Sequence, residues 1–135
     1  MERRVLPVVL IMLITACATP ESPLVMTPTL SIPDAARAIA AVKLQFIQVA
    51  QIQAKAPGTI GATTDITAFE RADGWDMVFW QGSGDCPAGC IDNHYFYFSA
   101  KKDGRVMQAG EYLRKYNADK NSFDTTGAPM WGVPK

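Results

Sequence analysis

Apolar positions recur every three or four residues between positions 35 and 55, which predicts one long helix. The positions that step by three or four are Ile39, Val42, Phe46, Val49 and Gln53, with Ala35 and Ala50 beside them, and Leu44, Ile47 and Ile52 widen the apolar stripe. Ser31 suits the helix cap, Pro33 suits the first turn, and Asp34 complements the positive end of the helix. The helix should end at Pro57-Gly58, because proline lacks an amide donor and glycine accepts a positive φ.

After a link rich in glycine and threonine, the hydrophobic period falls from about 3.6 to about 2, which is typical of strands. Four strands are expected, over residues 66–71, 75–81, 94–100 and 105–113. Asp-Gly pairs at 73–74 and 103–104 suit tight hairpins between them. We therefore predict an α+β fold in which one long N-terminal helix packs on a four-stranded antiparallel meander sheet.

The predicted domain covers residues 33–115, and the segments that flank it are expected to be irregular. Residues 17–32 are rich in proline and small polar side chains, which bury too little surface to offset chain entropy, so they predict a flexible tether. The alternative is that Leu24 to Met26 docks as a short edge strand. Residues 116–135 are rich in Asn, Asp, Gly and Pro and predict an irregular C-terminal tail, which Met130-Trp131 would pin to the sheet.

A separate apolar run, from Val5 to Ile14, follows Arg3 and Arg4 near the start of the chain. A helix rises ~1.5 Å per residue and needs roughly twenty residues to cross the ~30 Å core of a bilayer, so this run is too short to span it. Small residues then lead to Cys17. A charged start, a short apolar run and small residues are the layout of a secretory signal peptide, here over residues 1–16.

The run Leu13-Ile14-Thr15-Ala16-Cys17 resembles the lipobox of bacterial lipoprotein precursors. The resemblance implies cleavage before Cys17 and lipidation of its sulfur with fatty acyl chains such as palmitate. Two or three acyl chains anchor a protein stably to a membrane. In enteric-type sorting, Ala18 in place of an aspartate implies the outer membrane, with the domain facing the periplasm. The alternative is an ordinary secretory signal cut nearby, with Cys17 incidental.

Charge narrows the range of partners. Removal of 16 of the 135 residues leaves 119, a length that fits one compact domain, with 11 basic and 12 acidic side chains. This balance, which has no basic stripe, removes the usual driving force for binding nucleic acid or anionic lipid. We expect no nucleic-acid partner, and membrane contact through the lipid anchor alone.

Residues 81–94 hold both remaining cysteines and the single histidine. With Cys17 lipidated, Cys86 and Cys90 form an even pair in an oxidising compartment, which predicts a disulfide that shapes the loop. Thiol–disulfide catalysis is an alternative, although the spacer has three residues instead of two. Another is a metal site of Cys86, Cys90 and His94 with Asp85 or Asp92. A third is recognition by a pre-ordered loop and its aromatic neighbours, with candidate binding residues Trp80, Asp85, Asp92, His94, Tyr95 and Tyr97.

The sequence contains none of the common hydrolase or phosphate-binding motifs, so we assign no catalytic residue, metal ligand or cofactor. A helix followed by a meander resembles PepSY and beta-lactamase-inhibitor-type domains and the small accessory lipoproteins of outer-membrane assembly, through architecture alone. That resemblance implies inhibitory or scaffolding roles. The favoured interpretation is a non-enzymatic, membrane-anchored periplasmic module that binds an envelope protein. The alternative is a small periplasmic enzyme or metal-binding protein that uses Cys86, Cys90 and His94.

Overall fold

The structure, a computed structural model, describes residues 31–132. Its elements are α1 (Ala35–Gln45), a 3₁₀ turn (Ile47–Val49), β1 (Thr64–Arg71), β2 (Gly74–Ser83), a second 3₁₀ turn (Cys86–Ala88), β3 (Asp92–Lys101), β4 (Val106–Asn117) and β5 (Ser122–Gly127). The strands form one antiparallel five-stranded sheet in the order β1-β2-β3-β4-β5. The expected long helix on a four-stranded sheet is therefore wrong. The signal peptide, Cys17 and all but the last two residues of the expected tether lie outside the described residues.

The helix is about half as long as its apolar pattern predicted. Its N-cap is Asp34 instead of Ser31, since Oδ1 of Asp34 accepts a hydrogen bond from the Arg37 amide at 2.8 Å. It ends at Gln45, because Phe46 is extended at φ −120° and ψ 95°. Three β-branched residues, Ile47, Val49 and Ile52, lie within the next six positions, and such side chains lose rotamer freedom in a helix.

The break at Phe46 changes which apolar residues reach the core. The Phe46 ring packs on Phe98 with the centroids 4.8 Å apart, and the chain then turns so that Val49 and Ile52 are buried. Leu44 and Ile47, which were expected to widen the stripe, are 85% and 86% exposed. Val49 at the end of the first 3₁₀ turn and Ile52 beyond it thus provide the burial that a continuous helix was expected to provide.

One sheet face packs against α1 and forms the main core. Register pairs such as Met77↔Phe98 and Ile66↔Phe79 bring alternate residues of neighbouring strands onto this face. The buried residues of this core are Ile32, Ala38, Ala41, Val42, Val49, Ile52, Trp75, Met77, Phe79, Phe96, Phe98 and Ala100. Within residues 31–132, no helix has the length and apolar character that crossing a membrane requires.

The opposite sheet face, called here the outer face, has a smaller core. Val78, Tyr95 and Tyr97 are buried there, with Trp80, Tyr112 and Trp131 packed against them. Trp131 comes from the C-terminal segment, and its indole Nε1 donates a hydrogen bond to the Met77 carbonyl at 3.3 Å. That segment therefore covers part of the outer face and leaves the rest open.

The strand β5 lies in the segment expected to be an irregular tail. A turn that places Asn121 at φ 48° returns the chain from Asn117 to Ser122, and β5 then pairs with the end of β4. All six residues of β5 are exposed, so its stability comes from backbone pairing and cross-strand contacts. A strand with no buried face carries no hydrophobic period by which the sequence could reveal it.

Candidate binding groove

The open part of the outer face is a groove of about 760 Å³, within the size range of ligand pockets. We call it the aromatic groove. Its lining residues are Lys55, Asp65, Thr67, Val78, Trp80, Gly89, Cys90, Asn93, Tyr95, Tyr112, Arg114 and Gly132. These come from the four strands β1 to β4, the link before β1, the disulfide loop and the C-terminal segment, so segments far apart in the sequence build the groove.

A row of three aromatic side chains crosses the sheet in this groove. Trp80 of β2 is the register partner of Tyr95 of β3, and Tyr95 is in turn the partner of Tyr112 of β4. The rings of Tyr95 and Tyr112 are stacked with centroids 6.0 Å apart and planes 23° from parallel. Cross-strand aromatic pairs of this kind stabilise a sheet and also present flat apolar surface. Trp80 and Tyr112 remain half-buried, so part of that surface faces the groove.

The disulfide between Cys86 and Cys90 is present, with Cα atoms 3.9 Å apart, as the cysteine pair predicted. Its loop turns tightly at Gly89, which has φ 107°, a backbone conformation that favours glycine. Pro87 packs against Gly61 on the link before β1. Cys90 packs against Gly82 so closely that a side chain at position 82 would have no room. The loop is therefore held against the end of β2.

Asn93 connects this loop to the aromatic row. Its Oδ1 accepts a hydrogen bond from Trp80 Nε1 at 2.9 Å, and its Nδ2 lies 3.2 Å from the Cys90 carbonyl and 3.3 Å from the Ile91 carbonyl, donating to both. The polar edge of Trp80 is thus satisfied within the protein and its ring is fixed in orientation. A partner would meet a pre-ordered apolar ring and would lose little entropy in ordering it.

Three charged side chains line the same groove. Oδ1 of Asp65 accepts hydrogen bonds from the backbone amides of Lys55 at 2.9 Å and Ile66 at 2.8 Å. The Arg114 guanidinium lies 3.4 Å from the ring centroid of Phe123 on β5, a cation–π contact. Within residues 31–132, neither Lys55 nor Arg114 forms an ion pair. Burial raises the pKa of the Tyr95 phenol, and the charge of Arg114 offsets part of that rise.

Of the six predicted binding residues, only Trp80 and Tyr95 line the groove. Tyr97 lies on the same face but is fully buried, and its ring meets Trp131 edge to face at 5.6 Å. Asp92 accepts a hydrogen bond from the Tyr116 amide at 2.7 Å at the end of the sheet. Asp85 is exposed beside the second 3₁₀ turn and does not cap it.

His94 lies away from the disulfide. It is one residue from Tyr95 in β3, so its side chain faces the helix side of the sheet, where its ring stacks on Phe96 with centroids 3.9 Å apart. Its Nε2 is 3.8 Å from a carboxylate oxygen of Glu111. The cysteines are on the outer face and are joined to each other, so these three residues do not form one cluster. Within the described part of the chain, no group of three or more His, Cys, Asp or Glu side chains could hold a metal ion.

Tyr112 and Arg114 were missed because their place in the groove depends on the register of β4 against β3. Tyr112 and Arg114 lie on β4 opposite Tyr95 and Asn93. Alternation within β4 places both on one face, but a bulge between Tyr97 and Phe98 shifts the pairing. A sequence pattern gives the alternation of each strand, but it does not reveal the bulge that sets which residues face each other.

Comparisons of the chain with protein-family models, with curated proteins and with solved structures found no match.

Proposed function

We propose that this protein is a membrane-anchored periplasmic binding module of the cell envelope, and that it takes up an exposed segment of an envelope protein in the aromatic groove. The observation that carries the proposal is the pre-ordered row of Trp80, Tyr95 and Tyr112 in an open groove. Trp, Tyr and Arg are the residue types most enriched among interface residues that dominate binding energy. All three types line this groove.

The rigidity of the groove supports binding in preference to chemistry. Trp80 is oriented by Asn93, and Asn93 is held by the disulfide loop, so the row is connected to a covalently closed turn. Rigid aromatic surface gains affinity because few side chains must be ordered on binding. The lipid anchor proposed for Cys17 would keep this groove close to partners in or near the same membrane.

Site-specific photo-crosslinking in intact cells tests the proposal. A photoreactive residue replaces Thr67, an exposed residue of the groove, or Thr126, an exposed β5 residue whose register partner Leu113 lies on the helix side. We expect one discrete protein adduct from position 67 and none from position 126. The Tyr112→Ala substitution should reduce the adduct at least about tenfold, as expected for the loss of an interface residue that contributes about 1.4 kcal/mol.

The controls separate loss of binding from loss of folding. The Tyr112→Ala protein should retain a cooperative thermal transition, because Tyr112 is only half-buried. Equal adducts from positions 67 and 126, or an adduct at position 67 that Tyr112→Ala leaves unchanged, would mean that the groove does not bind the partner.

A further inference from the structure

The aromatic groove has an excess of positive charge, which bears on what it binds. Lys55 and Arg114 line it without ion pairs in the described part of the chain. The single carboxylate in the lining, Asp65, already accepts two backbone hydrogen bonds. Lys55 is exposed and Arg114 is half-buried, so a partner that covers the groove would remove water from both cations, and an anionic partner would replace the hydration that these charges lose.

Arg114 is held in a geometry that suits a carboxylate. Its guanidinium rests on the face of Phe123, which fixes the plane of the group through stacking. Among residues 31–132, its guanidinium donates no hydrogen bond, so its in-plane N–H groups are available. An arginine fork of this kind binds a carboxylate through two parallel hydrogen bonds.

The chain itself shows that this face accepts a peptide with an aromatic side chain. Residues 130–132 cross the outer face next to the groove, and Trp131 packs on Tyr97 while its indole donates to the Met77 carbonyl. Gly132 then packs against Phe69 and lines the groove, so the occupied and open parts of the face are continuous. The same aromatic floor extends from the covered part to the open part.

We propose that the groove recognises an acidic peptide segment that also carries an aromatic residue. The peptide carboxylate, from Asp or Glu, pairs with the Arg114 guanidinium, and the aromatic ring packs on the row formed by Trp80, Tyr95 and Tyr112. Phe123 acts as a positioning residue that holds Arg114. This inference rests on the proposed function of the groove and adds the chemistry of the partner to it.

Binding of defined peptides to the full mature chain, held in detergent micelles, tests the inference. The probe is acetyl-Gly-Trp-Asp-Gly-amide, with the Asp→Asn peptide as its uncharged equivalent, and binding is followed through backbone amide NMR shifts. We expect the acidic peptide to shift the amides of Trp80, Tyr112 and Arg114. Its Kd should be at least about fivefold lower than that of the Asn peptide, since charge-assisted hydrogen bonds are about twice as strong as neutral ones.

Variants of the protein test which side chain recognises the carboxylate of the peptide. The Arg114→Gln substitution should remove the difference between the two peptides, and Phe123→Ala should reduce it while leaving the Asn peptide unchanged. The matched control is Arg105→Gln, on the turn between β3 and β4, where Arg105 pairs with Asp103 outside the groove. This control should keep the full difference between the peptides.

The outcomes distinguish this inference from the proposed function. Equal Kd values for the two peptides, with the position-67 adduct still formed in cells, would overturn the acidic partner and leave the groove as a binding site. An Arg114-dependent site that binds N-acetylmuramic acid more tightly than the acidic peptide would also overturn the peptide assignment. Absence of both the adduct and any peptide shift would overturn the proposed function as well.

Discussion

At the scale of single residues, the Tyr97 hydroxyl is the one buried side-chain polar atom in residues 31–132 with no hydrogen-bond partner. Burial raises the pKa of this phenol, and the Met130 backbone offsets only part of the rise because it lies near the hydroxyl without the geometry of a hydrogen bond. Desolvation of an unpaired hydroxyl costs about 1 to 3 kcal/mol. We therefore expect Tyr97→Phe to raise the free energy of unfolding by about 1 kcal/mol in urea titrations.

The matched control for this change is Tyr112→Phe, because the Tyr112 ring is only half-buried at the groove. That substitution should alter the free energy of unfolding by less than about 0.5 kcal/mol, as for most surface changes. If Tyr97→Phe instead lowered the stability by 1 kcal/mol or more, its hydroxyl would have to be satisfied, for instance by a buried water.

The alternating residues of β3 show what a sequence pattern can specify about the position of single residues. The pattern assigns Phe96 and Phe98 to one face and Tyr95 and Tyr97 to the other, and the structure has this arrangement. It does not say that Trp131 covers Tyr97 while Tyr95 remains in an open groove. Trp131 lies 34 positions beyond Tyr97, a separation over which local periodicity carries no information.

At the scale of elements, the hairpin strands were predictable and the ends of the regular structure were not. Alternation and Asp-Gly turns located β1 to β4 within a few residues. The helix was predicted too long because Phe46, Val49 and Ile52 fit its period, although they reach the core after the helix ends. The fully exposed β5 was missed because pairing with β4, instead of burial, holds it in place.

The disulfide loop leads to a prediction at the same scale. A bridge across four positions closes a very small loop, so the chain-entropy model gives a stabilisation of only about 2 kcal/mol. The double substitution Cys86→Ala and Cys90→Ala should therefore lower the free energy of unfolding by no more than that amount. Its larger effect should be on the groove, because Asn93 would lose a fixed Cys90 carbonyl and Trp80 would lose its orientation.

Two measurements check this prediction. The wild-type protein should weigh two hydrogens less than its reduced form and should resist alkylation until it is reduced. In the double variant, the crosslinked adduct from position 67 should fall at least about fivefold while the protein remains folded. A variant that loses about 4 kcal/mol or more of stability, or one that keeps the full adduct, would contradict this role of the loop.

At the scale of the whole molecule, α1 and the first 3₁₀ turn cover one face of the sheet, and the C-terminal segment covers only part of the outer face. Trp80 and Tyr95 could be named from the sequence because they flank the unusual cysteine loop. Arg114 and Tyr112 could not, because their place in the groove depends on the bulged register of β4 against β3 and on the pairing of β3 with β2. A site assembled from several elements becomes visible only when the register of the whole sheet is known.

Under the lipidation proposed for Cys17, the distance of this groove from a membrane is limited by the chain between Cys17 and Ile32. Ile32 is 1% exposed and its amide donates to the Lys102 carbonyl at 3.0 Å, so Ile32 is part of the folded domain. The residues between Cys17 and Ile32 reach at most about 50 Å when fully extended at ~3.3–3.6 Å each. A lipid on Cys17 would therefore confine the groove to partners within that distance of the bilayer, plus the width of the domain.

Labelling of cells with radioactive palmitate tests this anchor. The wild-type protein should incorporate label and sediment with membranes, because two or more acyl chains bind a bilayer stably. The Cys17→Ala protein should carry no label. Its intact mass should no longer correspond to a mature chain that starts at residue 17. The double Cys86→Ala and Cys90→Ala variant is the matched control, since it removes the other two cysteines and should be labelled like the wild type. Label that persists in Cys17→Ala would place the acyl chain on another residue and contradict the anchor at Cys17. An unlabelled wild type cut at another position would instead indicate an ordinary secretory signal and a groove that is free to diffuse through the periplasm.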